Sequence, residues 1–99
     1  MFVNLIHFPP IKPGKEAAFL EWFDESNRRF SVFPGFIRRV LLRSLKTGAY
    51  IGLVEYDSKE TFMAMHHSPA QAELRALARA IFEGDPDPTF HETVRGTEQ

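Results

Sequence analysis

The sequence predicts an α+β fold, one antiparallel sheet of four strands with helices packed against one of its faces. Three observations lead there. Between residues 33 and 56, Pro34-Gly35 breaks whatever precedes it, and two runs rich in β-branched and aromatic residues are joined at Lys46-Thr47-Gly48, which reads as a β-hairpin. Stretches with helical spacing lie on both sides of that hairpin. Short strand-like segments stand near the two ends of the chain, giving the order β-α-β-β-α-β of the ferredoxin-like arrangement.

Phe2-Val3-Asn4-Leu5-Ile6-His7-Phe8 is the first strand, closed by Pro9-Pro10 and by Lys12-Pro13-Gly14. Alternation puts Val3, Leu5 and His7 on one face, and Phe2, Asn4, Ile6 and Phe8 on the other. Both faces are mostly apolar, so this is an inner strand. A helix from about Lys15 to Phe30 follows, with a stripe of Phe19, Trp22, Phe23, Ser26 and Phe30 and charges mainly on the opposite side. In the hairpin, Arg38, Arg39 and Arg43 sit among aliphatics in the first arm. The second arm is apolar almost throughout, as suits a strand covered on both faces.

Asp57 or Ser58, with Glu60 close behind, starts a short helix through Phe62, Met63 and Met65. Ser68-Pro69-Ala70-Gln71 starts another, with serine as N-cap and proline at the first helical position. Its expected apolar face is Leu74, Leu77, Ala78, Ile81 and Phe82, and Gly84 is the expected C-terminal stop. Asp85-Pro86-Asp87-Pro88 reads as a rigid turn, and Thr89 to Val94 as the last strand, an antiparallel neighbour of the first. Residues 1–95 then form one domain and 96–99 a frayed tail.

The helices suffice to cover one sheet face only. An apolar sheet face of this extent does not stay in water, so a homodimer packed sheet to sheet is expected. The 99 residues carry a formal net charge of −1, which argues against nucleic acid or an anionic membrane as partner. There is no cysteine, hence no disulfide, thiolate nucleophile or thiolate metal site. Residues 1–8 lack the basic and apolar regions of a signal peptide and no run could span a membrane, so a cytoplasmic location is expected. Ten phenylalanines in so short a chain are a surplus that fits an apolar pocket or a subunit interface.

Several segments together resemble the antibiotic-biosynthesis-monooxygenase (ABM) family. They are Pro13-Gly14-Lys15-Glu16 opening the first helix, Pro34-Gly35-Phe36 opening the second strand, Tyr56-Asp57-Ser58-Lys59-Glu60-Thr61-Phe62 after the third, and Phe90-His91-Glu92-Thr93-Val94 in the last. The resemblance covers residues 1 to about 94 and implies a dimeric α+β barrel. It further implies cofactor-free oxidation of aromatic phenols and quinols, or else haem degradation. Haem-degrading members carry an asparagine near the end of the first strand, a tryptophan after the Phe62 equivalent, and a histidine ligand in the last helix. Counted from Gly14 and Phe62, those positions hold His7, Met65 and Arg75 here. Arg75 stays protonated and cannot ligate iron.

The expected activity is therefore cofactor-independent oxidation of a small aromatic quinol or phenol with O₂. The alternative is a non-catalytic dimeric module that holds an apolar metabolite or haem. His7 is the candidate catalytic base, because imidazole titrates near neutral pH and this position is where the resemblance places a polar group of the pocket. Trp22, Met65, His67, Arg75 and His91 are the candidate substrate contacts. Whether His91 shares the face of His7 depends on strand register, since a slip of one residue reverses it. Of the adjacent His66 and His67, only one can point into a pocket. No metal ligand set and no cofactor motif is legible.

Overall fold

The structure is a computed structural model and describes residues 1–96. Its elements run β1 (Phe2–His7), α1 (Glu16–Phe30), β2 (Phe36–Arg43), β3 (Tyr50–Tyr56), α2 (Lys59–His66), α3 (Pro69–Ala78) and β4 (Asp87–Glu92). The four strands form one antiparallel sheet in the order β2-β3-β1-β4, the ferredoxin-like α+β arrangement expected. β1 and β3 are the inner strands, which explains why their sequences are apolar on both faces. Of the expected tail at 96–99, residues 97–99 lie outside the described residues.

Register fixes which side chains share a face. Asn4 pairs with Val54 and with Phe90, while Val3 pairs with Glu55 and with His91. The side under the helices therefore carries Phe2, Asn4, Ile6, Val54, Tyr56 and Phe90. The outer side carries Val3, Leu5, His7, Ile51, Leu53, Glu55 and His91. In β2 a bulge between Phe36 and Arg38 shifts the alternation and sends Arg39 under the helices, paired with Val54.

The core splits into two aromatic clusters. One holds Phe8, Phe19, Phe23, Ala78, Ile81 and Phe82, and the other Phe30, Val54, Tyr56, Phe62, Met65 and Leu74. Ile6 and Trp22 pack against both. In the first, Phe8 meets Phe19 edge-on at 5.3 Å and stacks on Phe82 at 5.4 Å. In the second, Tyr56 is fully buried and its hydroxyl donates to the Phe30 carbonyl at 3.1 Å. Burial pushes its pKa up to about 12.

Helix starts follow the expected chemistry, with Ser58 Oγ accepting from the Thr61 amide and Ser68 Oγ from the Gln71 amide. The end of α3 does not. It stops at Ala78 rather than before Gly84, because the chain is drawn away by hydrogen bonds to the segment after β1. Lys12 N–H donates to the Ile81 carbonyl and Glu83 N–H to the Pro10 carbonyl, both at 2.8 Å. Ile81 and Phe82 are buried outside the helix, and Leu77 is exposed rather than part of its apolar face. The last strand also begins earlier than expected, at Asp87. Pro88 is tolerated because β4 is an edge strand and its missing N–H interrupts no ladder beyond.

Candidate active site

Between the two clusters, enclosed by the sheet, α1, α2 and α3, lies a cavity of about 360 Å³. That volume is of ligand size. Its walls are apolar: Ile6 and Phe8 from β1, Val54 from β3, Trp22 and Phe30 from α1, Phe62 and Met65 from α2, and Phe82. Polar groups enter as Asn4 from the floor, Arg39 from β2, His66 from α2, Gln71 and Arg75 from α3, and Arg79 and Asp85 from the segment after it.

Asn4 stands out on physical grounds. The residue is 4% exposed, and among the described residues its Oδ1 has no hydrogen-bond partner. A buried amide acceptor left unmatched costs about 1–3 kcal/mol, so such a group asks for a partner that the protein does not supply.

Trp22 shows the opposite condition. Its indole N–H already donates to the Leu74 carbonyl at 2.8 Å, which ties α1 to α3. The ring is therefore a wall for the cavity and has no donor left for a ligand.

Arg39 reaches the cavity from beneath α1. Its Nη1 donates to Ser26 Oγ, to Asn27 Oδ1 at 2.9 Å and to the Phe23 carbonyl at 3.4 Å. The guanidinium lies 4.2 Å from the centre of the Phe23 ring and 5.4 Å from that of Phe30. Burial draws its pKa down to about 10, so it remains a cation at neutral pH.

His66, the last residue of α2, stacks on Phe62 at 5.4 Å, one helical turn before it, and faces Phe90 edge-on at 6.3 Å. Burial first, then the nearby charges of Arg75 and His67, push its pKa below the usual imidazole value. The neutral ring is favoured near pH 7.

The sequence-predicted candidates fall into two groups. Trp22, Met65 and Arg75 line the cavity. His7 and His91 share a face, as the register decides, but it is the outer face of the sheet, away from the cavity. His91 Nε2 is instead 2.9 Å from Thr89 Oγ1. His67 caps α2 and is exposed, and its neighbour His66 takes the place in the wall. Asn4, Arg39 and His66 were not among the expected site residues. Asn4 had a readable signal, a lone polar residue on the apolar face of Phe2, Ile6 and Phe8. His66 had one in its spacing of four from Phe62.

Among the described residues no group of three histidine, aspartate or glutamate side chains is placed to hold a metal ion. Nor is any of their helices long and apolar enough to cross a membrane.

The family model for "Antibiotic biosynthesis monooxygenase" matches residues 1–77. No curated protein sequence matches the chain significantly. A Deinococcus radiodurans protein of the same family designation superposes with a TM-score of 0.84 at 10% identity, over 100% of this chain and 98% of its own. One from Nitrosomonas europaea gives 0.82 at 16%, over 96% and 100%. SnoaB, a cofactor-independent oxygenase from Streptomyces nogalater, gives 0.75 at 23%, over 97% and 92%. At these identities the likeness is one of fold.

Proposed function

Because the chain belongs to the antibiotic biosynthesis monooxygenase family, we propose that it is a cofactor-independent monooxygenase acting with O₂ on a small, flat aromatic quinol or phenol. The observation that carries this reading is the buried amide of Asn4, with its Oδ1 unmatched, among the aromatic walls of a ligand-sized cavity. Flat apolar walls of Trp22, Phe62, Phe8 and Phe82 select a ring, and a buried amide among them suits a ring that carries a hydroxyl. The likeness to SnoaB supports the same class of chemistry. Asn4 orients the substrate in this reading, and Trp22 and Met65 flank it. Arg75 sits at the mouth, where its cation suits a phenolate or an acidic substituent. His7 and His91, on the outer face, have no contact with the substrate.

The same reading makes the protein a homodimer. Its outer sheet face presents Val3, Leu5, Val40, Leu42, Ile51 and Leu53, bordered by the Arg38–Glu55 ion pair. A second copy laid sheet to sheet would cover it.

Oxygen uptake with no added cofactor, across anthrones, naphthols and hydroquinones, tests the activity. A no-enzyme blank corrects for autoxidation. Uptake above the blank that falls in Asn4→Leu is the expected result. No uptake from any compound would refute the oxygenase. Thermal stabilisation by the same compounds without uptake would identify a binding module for an apolar metabolite instead, with haemin titrated as a further candidate ligand.

A further inference from the structure

The side chains that line the cavity carry an unbalanced charge. Three of them are arginines, Arg39, Arg75 and Arg79, against one acid, Asp85. Arg75, Arg79 and Asp85 are exposed, so water weakens the field of each. Arg39 is placed differently. It comes off the sheet face that lies under the helices, and its guanidinium is held against the rings of Phe23 and Phe30. Among the described residues it forms no salt bridge with any carboxylate.

The way Arg39 is tied leaves one edge of it over. All of its hydrogen bonds to α1 use Nη1, and they end on a hydroxyl, an amide oxygen and a backbone carbonyl. Among the described residues Nε and Nη2 have no partner. Those two nitrogens share one edge of the guanidinium, where two N–H bonds run parallel and match the two oxygens of a carboxylate. Neutral oxygens and ring faces stabilise the cation but supply no counter-charge. A desolvated guanidinium in that condition favours an anion that a ligand brings with it. Register gives the neighbourhood: Val54 pairs with Arg39 on one side and with Asn4 on the other. One row of the cavity floor therefore runs from the cation on β2, over Val54, to the Asn4 amide on β1.

We propose that the ligand of this cavity is an aromatic acid, whose carboxylate seats on the Nε–Nη2 edge of Arg39 while its ring lies over Val54 toward Asn4. The carboxyl group enters already ionised, since such acids have lost their proton well below neutral pH. Arg39 is then a specificity-determining residue that takes no part in bond making. It orients the acid end of the ligand toward β2 and leaves the rest of the ring to the apolar walls. That the ligand is aromatic rests on the oxygenase reading. That it carries a carboxylate rests on Arg39 alone, so the two can fail separately.

Equilibrium dialysis of the full chain under nitrogen tests this without turnover. The probes are a hydroxynaphthoic acid, its primary amide, which has nearly the same shape without the charge, and the naphthol that lacks the substituent. At neutral pH the acid should bind roughly ten- to a hundredfold more tightly than the amide, the usual worth of a charge-assisted hydrogen bond. Arg39→Met should erase that preference. Arg39→Lys keeps the charge but not the fork, and should retain only part of it. Arg75→Gln and Arg79→Gln should leave it intact. Acid and amide bound equally by the wild-type protein would overturn the proposal whatever the variants do. So would a preference that survives Arg39→Met or disappears in Arg75→Gln. Selective binding of the acid with no oxygen uptake from any compound would refute the oxygenase and support the carboxylate site. Uptake from neutral quinols with no preference for the acid would do the reverse. Absence of binding by all three probes would overturn both.

Discussion

Replacing Asn4 by leucine separates a side chain kept for a ligand from one kept for the fold. The two side chains branch at the same carbon, so leucine keeps the branched outline of the amide without its polar atoms. Asn4 is 4% exposed with Oδ1 unmatched, and it sits in the middle of an inner strand. Removing an unmatched buried acceptor recovers about 1–3 kcal/mol of desolvation cost, because no protein partner is orphaned in exchange. Leucine is also the better strand residue on this half-apolar surface. The variant is therefore expected to be more stable than the parent by about 1–3 kcal/mol. For a domain of this size each kcal/mol raises Tm by about 4–8 °C. Urea titration at one fixed protein concentration would read this as a higher midpoint with an unchanged slope. Oxygen uptake should fall in the same variant. A lowered midpoint would refute the reasoning, because it would mean that the Asn4 amide serves the fold and is not held open for a ligand.

Three other outcomes follow from the same structure. Gly35 has φ +83°, and a Cβ there would stand 2.5 Å from both Asp57 Oδ1 and Thr61 Oγ1. Gly35→Ala should therefore cost about 2 kcal/mol or more in urea unfolding, and a neutral result would mean that the β3–α2 turn yields freely. Because the pKa of His66 is lower in the folded than in the unfolded chain, the unfolded state binds this proton first as pH falls. Stability should decline as pH drops below the ordinary value of 6.5 and level off below the folded value. His66→Gln should remove that decline, and an identical pH dependence of the two urea midpoints would contradict it. Leu53→Glu on the outer sheet face should convert the proposed dimer to a monomer in light scattering, whereas a dimer of unchanged mass would move the interface elsewhere.

Much of the architecture could be read along the chain, because each element is specified by neighbours in sequence. The apolar alternation of Phe2 to Phe8, the stripe from Phe19 to Phe30, and the serine caps at 58 and 68 all appear where they were expected. The termination of α3 was less legible. Gly84 is a good local stop, but contacts between residues 10–12 and 81–83 end the helix at Ala78. Local propensity yielded there to pairing between segments far apart in the chain.

The site was legible only in part. Trp22, on the stripe that periodicity sets on α1, and Met65 and Arg75, counted from Phe62 through the family resemblance, all line the cavity. His7 was selected by counting back from Gly14, and counting across Pro9-Pro10 does not preserve which way a strand residue faces. The alternation within β1 itself points to Asn4. Arg39 read only as one of three arginines among the aliphatics of the first hairpin arm, and the bulge between Phe36 and Arg38 turns it under α1.

By itself, then, the sequence determined the order of elements, the two faces of β1 and the family to which the chain belongs. The first two follow from local periodicity, capping and turn chemistry, which act within a few residues, and the family from the resemblance of whole segments. The tertiary structure alone decided that His91 shares the outer face with His7. It also decided that Asn4 and Arg39 meet in one cavity. Each of these depends on register, on a one-residue bulge or on the packing of two clusters around Ile6 and Trp22. A sheet reverses every side chain when its register slips by one, and no local pattern records that choice.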